Sequence, residues 1–304
     1  MDSLIPPKPL NHPVRADRAR GIALVTLSAL AWSFGGAIQR FLTIADPWAT
    51  VFWRSGFASA FLIAFMLWRD GPAETRRSFL GMGWPGLAVA ICFTIASTFF
   101  VVALSFTTVA NVMLMNAGVP LIAALLAWLV FRDRVDGPTW AAIAAVFGGV
   151  AIMVSGSFGG GISLIGDVLA LGIAVAFATA TVITRHFAHV RMTAATALGT
   201  GIGSAIAFLF AGPVAVGAAD FGLLFAFGAL NLGLGLALFV TGARLVPAAL
   251  AALLGTLETV LGPVWVWLIH GEAPSFRTLA GGALIFVALL AHIALQARRD
   301  RPGL

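Results

Sequence analysis

Ten apolar runs, each about twenty residues long and joined by short polar connections, decide what this chain can become. They fall roughly at 20–39, 47–68, 82–104, 109–131, 138–156, 163–184, 194–211, 220–240, 247–269 and 276–296. A helix needs about 20 mostly apolar residues to cross a bilayer. Strands of a membrane barrel would alternate apolar and polar residues with period two. These runs are apolar on every side, so each is read as a transmembrane helix. Composition agrees, with charged residues at 10% of the 304, against about 25% in a soluble domain. The expectation is an all-α, multi-pass membrane protein of ten spans, with little chain left for anything outside the bilayer. Residues 1–18 carry Pro6, Pro7, Pro9 and Pro13 and no apolar core. They are read as a short disordered tail rather than a signal peptide.

The basic residues orient the spans. The tail holds Lys8, Arg15, Arg18 and Arg20, and the loop after the second run holds Arg69, Arg76 and Arg77. The same side receives Arg132, Arg134, Arg185, Arg191, Arg244, Arg298, Arg299 and Arg301. The opposite side has only Arg40 and Arg277, and Arg54 lies within the second run. Basic residues favour the cytoplasmic side, so both termini are expected there and the number of spans should be even. The tryptophans fit an interfacial belt: Trp48, Trp53, Trp265 and Trp267 near outer ends, Trp68, Trp84, Trp128 and Trp140 near inner ends. Trp32, near the middle of the first run, has no such explanation.

Several function classes drop out. The net charge of +6 forms no basic patch, so nucleic acid is not an expected partner. A lone cysteine, Cys92, can form neither an internal disulfide nor a cysteine metal site. The run "SGSFGGG" (155–161) lacks the Lys-Ser/Thr of a phosphate loop and reads as a flexible connection, and Asp133 and Asp136 read as a charged turn. No ATP-binding domain is present and no ATPase subunit is implied, so any transport would run on gradients. No cofactor is expected, and the oligomeric state is left open.

The two halves of the chain resemble each other. Residues 21–42 align with 166–187, pairing Gly21 with Gly166, Leu24 with Leu169, Ala29 with Ala174, Ala31 with Ala176, Ile38 with Ile183 and Arg40 with Arg185. Residues 127–140 align with 266–279, pairing Trp128 with Trp267, Leu129 with Leu268, Asp133 with Glu272 and Thr139 with Thr278. A duplicated unit of five helices follows, at 19–158 and 163–297. Five is odd, so the second unit must enter the membrane upside down. Inverted repeats of this kind are common in secondary transporters, with a central site that opens alternately to either side.

The motifs have a familiar order. "FWRSGFASAFL" carries Arg54 early in the second helix. "ALSFTTVANVMLMNAGVPLIAALLAWLVFRDR" holds a tight turn, a mid-helix Pro120 and a terminal acid, and "GARLVPAALAALLGTLETVLGPVWVWLIHGE" holds Glu258 and Glu272. With ten helices in two sets of five, the chain resembles the drug/metabolite transporter superfamily with paired EamA domains. Within it the chain is most similar to bacterial aromatic amino acid exporters of the YddG type. The second copy departs from the pattern, with Gly199 in the place of Arg54 and Thr259 where the family often has proline. The resemblance implies an exporter of small amphipathic metabolites in the inner (plasma) membrane, partnered by its substrate and the bilayer, and not an enzyme.

Polar groups inside spans mark candidate site residues, because lipid makes them expensive. Trp32, Gly36 and Gln39 are spaced to share a face of the first helix. Their repeat partners are Phe177, Thr181 and Thr184. Together they suggest a pocket for a flat apolar body with a polar head; alternatively, the rings pack and the hydroxyls bond backbone carbonyls. In "NVMLMNAGVP" (111–120), Asn111 reads as a helix-end group. Asn116, with Met115, reads either as a substrate contact or as an interhelical bond. Pro120 and Pro263 are candidate hinges. Asn231 is a further cavity candidate, and Glu258 reads as the sole acid deep in a span, able to carry a coupled proton or meet an ammonium group. Arg54 would attract a carboxylate, snorkel or lock helices together; His292 reads as structural. The alternative to an amino acid exporter is a cationic multidrug exporter working through Glu258. An intramembrane enzyme would need a nucleophile with a base, and the deep residues offer one Glu and one Cys with no His beside them.

Overall fold

Inside a bilayer the backbone has nothing to bond except itself, and a helix satisfies each apolar run locally. The computed structural model describes residues 12–132, 136–155, 164–187, 192–243, 245–246 and 248–299. All regular structure among them is helical. In chain order the helices are α1 His12–Ser33, α2 Gly35–Phe41, α3 Pro47–Leu80, α4 Gly83–Ala103, α5 Val109–Asn116, α6 Val119–Phe131 and α7 Gly137–Ser155. They continue as α8 Leu164–His186, α9 Met192–Phe210, α10 Ala218–Phe225, the π-helical segment Ala226–Leu234, α11 Gly235–Gly242, α12 Ala248–His270 and α13 Phe276–Arg299.

Eight spans are long and apolar enough to cross a membrane, and nine if the bent pair α5–α6 counts as one. In that count α1 with α2, and α10 through α11, each make a single span. The run expected at 247–269 forms α12, whose side chains are described only in part. The first helix begins at His12, inside the stretch read as a tail. Asp133 and the glycine-rich 156–161 lie outside the described residues.

Local chemistry sets the ends. Asp46 accepts a bond from Trp48 N at 2.9 Å and Pro47 opens α3, a cap followed by proline at the first turn. Thr108 caps α5 through Asn111 N, Asp136 caps α7 through Thr139 N, and Ser275 caps α13 through Thr278 N. Gly71 takes φ +78 ahead of Pro72 and kinks α3, so the chain beyond the second span stays helical and carries the exposed Arg77. Gly271, at φ +70, ends α12 as a left-handed terminator.

The packing follows the duplication. Number the ten apolar runs read from sequence one to ten, call each a span by that number, and let the halves exchange. The pairing of the third and sixth spans (α4 on α8) becomes that of the eighth and first (α11 on α1), and both are extensive. The first and ninth spans (α1 on α12) likewise map onto the sixth and fourth (α8 on α5 and α6). The second–seventh pair (α3 on α9) and the fifth–tenth pair (α7 on α13) map onto themselves. Small residues permit these approaches. On α7 and α13, a Cβ at Gly149 would sit 2.6 Å from Gly281 O, and one at Gly281 would strike Gly149 O. Large apolar side chains such as Leu129, Leu209 and Val287 stay exposed on the outside, where lipid would cover them.

Candidate functional site

The first span is interrupted at one residue, Phe34, which keeps helical angles (φ −77, ψ −8) while the hydrogen-bond ladder lapses. α1 stops at Ser33 and α2 restarts at Gly35. A break inside a membrane strands carbonyls that must find other donors. Asn231 supplies them: its Nδ2 donates to Ala31 O at 2.7 Å and to Trp32 O at 3.1 Å. Asn231 sits in the π-helical segment, the loosened part of the eighth span. Trp265 braces the break from α12: its indole donates to Ser33 Oγ at 3.0 Å and stacks on Phe34 at 5.0 Å with 9° between the rings. Trp265 therefore reaches inward to the break, and its expected place in the outer belt is corrected. Trp68, Trp84, Trp128 and Trp140, read from sequence as lying near inner ends, are all exposed, as a belt requires.

The break also separates residues that spacing alone puts on one face. Trp32 lies against α11, where a Cβ on Gly235 would run into its indole nitrogen, and its ring is 5.5 Å from that of Phe239. Gly36 instead meets Val109 of α5, where an added Cβ would clash with the valine. Gly36 is thus the close-approach point of α2 and α5. Gln39 lies on the half-buried side of α2.

In the sixth span, Phe177 meets Phe93 of α4 edge-on at 5.5 Å. Thr181 donates to Phe177 O at 2.8 Å and Thr184 to Ala180 O at 2.7 Å. Of the two readings open for these hydroxyls, the structure has them bonded to their own helix. Arg185 lies beyond the described side chains.

The fourth span is also discontinuous. α5 ends at Asn116, α6 starts at Val119, and their axes differ by 44°. Pro120 stands in the first turn of α6, not mid-helix, so it marks a break already made by Ala117 and Gly118. Pro263, the other hinge candidate, lies inside an unbroken α12. Met115 is buried in the main core and Met113 packs over Gly262. Asn111 is saturated: its Nδ2 donates to Asp167 Oδ1 at 2.7 Å and to Thr107 Oγ1 at 3.3 Å, and its Oδ1 accepts from Thr278 Oγ1 at 2.8 Å. The helix-end reading of Asn111 therefore fits what the structure shows.

Glu258 stands deep in α12 as expected, and two further acids, Asp167 and Asp220, are buried in the first turns of α8 and α10. Glu258 is half-buried in α12 and makes no hydrogen bond or ion pair among the described residues. Asp167, 1% exposed, ties α8 to Asn111. A lone acid opening the sixth apolar run was the signal for it. The structure adds a link that sequence did not suggest. Arg40 Nε pairs with Glu272 Oε2 at 2.8 Å, its Nη1 and Nη2 donate to Leu104 O and Thr107 O, and Glu272 Oε1 accepts from Val109 N. One charged cluster thus joins the ends of α2, α4, α5 and α12.

Buried polar atoms that lack any partner are the part of the site not explained by packing. Among the described residues they are Trp32 Nε1, Gln39 Oε1, Asn116 Oδ1, Thr50 Oγ1, Arg54 Nε and Thr196 Oγ1. Four of these six, on Trp32, Gln39, Asn116 and Arg54, belong to residues weighed from sequence for polarity inside a span. An indole donor and two amide oxygens are suited to a neutral or zwitterionic guest with both donors and acceptors. Among the described residues no three His, Cys, Asp or Glu come together as metal ligands.

Comparisons with known proteins agree with this architecture. No curated protein matches the sequence. A crystal structure of a protein 21% identical superposes with a TM-score of 0.66, covering 93% of this chain and 99% of the other. At that identity the likeness shows the fold. The profile of the EamA-like transporter family matches twice, over residues 19–155 and 164–293. Those two segments take in the broken first span, the bent fourth span and their counterparts, and on them rests the assignment: this chain belongs to the EamA-like transporter family.

Proposed function

We propose that this protein is a secondary transporter that exports small amphipathic metabolites, aromatic and other neutral amino acids foremost, by alternating access across the inner (plasma) membrane. One observation carries the reading: Trp32, Gln39 and Asn116 each keep a buried polar atom without a partner, within or beside the spans whose helices are interrupted. Discontinuous helices at mid-membrane are where secondary transporters hold substrate. Ten spans in two five-helix halves of opposite orientation, with both termini in the cytoplasm, complete the picture; the uneven distribution of Lys and Arg supports it. Met115, Phe177, Thr181 and Asn231 shape the apolar wall, Gly36 sets the spacing of α2 and α5, and Pro120 and Pro263 are the hinge positions.

The test is flux in proteoliposomes. Purified protein should move labelled phenylalanine or tryptophan down a gradient. Asn116→Ala and Gln39→Ala should each lower the rate roughly tenfold while leaving the protein monodisperse, the loss expected when a hydrogen bond made to substrate disappears. Absence of flux for every amino acid would reject the substrate class.

A second reading has its own support, because Glu258 has no partner among the described residues. A carboxyl group in a span is suited to a quaternary or primary ammonium. If the protein is a cation exporter, Glu258→Gln abolishes movement of tetraphenylphosphonium. If amino acids are the cargo, the same variant keeps phenylalanine flux under a pH-clamped gradient.

A further inference from the structure

Arg54 brings a full charge seven residues into the second span. Only 5% of it is exposed. Its guanidinium lies 4.3 Å from the ring centre of Phe227 and 5.2 Å from that of Phe100. Nη1 donates to Ser97 Oγ at 3.0 Å and to Ser97 O at 3.5 Å. Nε is buried with no partner, and among the described residues no acid pairs with Arg54 and Nη2 makes no hydrogen bond. The Nε–Nη2 edge of the fork is therefore unused.

Arg40 shows what a helix-locking arginine looks like in this same protein. It spends Nε, Nη1 and Nη2 on a carboxylate and two backbone carbonyls. Arg54 spends one nitrogen. A second orphan stands on the same helix: Thr50, one turn earlier on α3, is 0% exposed and its Oγ1 has no partner. Residues four apart share a helix face. Helical side chains lean toward the N-terminus, so Arg54 extends along the turn that carries Thr50. Two orphaned groups, one a cation and the other a hydroxyl donor, thus share one buried face of α3.

We propose that Arg54 and Thr50 form a carboxylate subsite of the transport path. The Nε–Nη2 edge takes both oxygens of a carboxylate in the side-by-side geometry the guanidinium plane favours. Thr50 donates a further bond to one of them. The two phenylalanine rings cover the guanidinium and keep water away, which strengthens the pairing. A single cation matches a monoanion, so a phosphate ester or dicarboxylate is a poorer guest. This inference rests on the transport reading and sharpens it: cargo is recognised by its acid end, not by its amine.

Counterflow of labelled L-phenylalanine in proteoliposomes, with unlabelled competitors, tests this. The competitors are phenylalanine, 3-phenylpropionate (acid without amine), phenethylamine (amine without acid) and phenylalaninamide. The acids should compete, and the amine and amide should be weaker by roughly tenfold or more, the loss expected when one charge-assisted bond pair is missing. Arg54→Lys keeps the charge and removes the fork; it should raise the half-saturating phenylalanine concentration about tenfold and leave phenethylamine competition unchanged. Thr50→Val should act in the same direction more weakly. If wild-type protein moves phenylalanine but phenethylamine competes equally well, or Arg54→Lys keeps the wild-type preference for acids, the subsite is overturned and the exporter reading stands. If wild-type protein moves no phenylalanine, the exporter reading falls and this inference falls with it. The wild-type comparison needs no variant, so a misfolded Arg54→Lys does not spare the proposal.

Discussion

Two amides with the same appearance in sequence do opposite work. Asn231 gives both of its described bonds to carbonyls released by the broken first span, whereas Asn116 keeps a buried oxygen with no donor. Removing a partner from a buried polar group costs about 1–3 kcal/mol, whereas replacing an unsatisfied group by an apolar one is near neutral or stabilising. Asn231→Leu should therefore lower the melting temperature in detergent. Asn116→Leu should leave it unchanged or raise it while transport is lost, the trade of stability for function. Gly235 offers a second residue-scale test. A Cβ there meets the Trp32 indole nitrogen, so Gly235→Ala should destabilise by about 1–3 kcal/mol through overpacking. Trp32→Phe in the same chain should recover part of that loss, read as melting temperature. Sequence marked both asparagines and Trp32 as unusual for a span, but not Gly235. It could not separate the saturated amide from the unsaturated one, because the groups that decide it lie 199 and 200 residues away.

Hydropathy locates helices well and their interruptions poorly. Runs of apolar residues give each span, because lipid rewards any residue that is apolar. A break costs hydrogen bonds and leaves apolarity untouched, so "LAWSFGGAIQ" reads as continuous although the ladder of α1 lapses after Ser33 and resumes at Gly35. The π-helical "AFGALNLGL" is equally silent. A π turn holds an extra residue against an α turn. Deleting Leu230, whose side chain is exposed, should pull the segment back toward α geometry without emptying a packed site. One residue of an α-helix turns it by about 100°, so Asn231 would swing away from Ala31 and Trp32. Both melting temperature and phenylalanine flux should fall. The prolines separate in the same way. Pro120→Ala restores a donor next to an existing break and should slow transport, whereas Pro263→Ala acts within a continuous α12 and should change it less.

Across the whole molecule, exchange of the halves maps the main helix contacts onto one another, yet the polar links are uneven. The Arg40–Glu272 pair, the Asn111–Asp167–Thr278 chain, Thr43 with Asp220, and Gly212 N with Asp46 gather at the ends of spans read as outer. The Arg40 and Glu272 side chains are 28% and 21% exposed, so the pair is worth about 0–1 kcal/mol to stability. Its influence on opening should exceed its influence on melting. In a Cys92→Ser background, Asn116→Cys should react faster with an impermeant thiol reagent from the outer side once Glu272 is changed to Gln, with little shift in melting temperature. The basic residues alone lead to an expected even span count and orientation, but these cross-links could not be read from sequence, since most join residues more than 150 apart. That separation also bears on how the protein is made. The carbonyls of Ala31 and Trp32 leave the ribosome about 200 residues ahead of Asn231. At about 5–20 residues per second of synthesis, this is a wait of roughly 10–40 s. Until the eighth span is inserted, the first must shelter its break with water or with the insertion machinery, and a nascent chain stalled in that interval is an unfinished protein that quality control could detect.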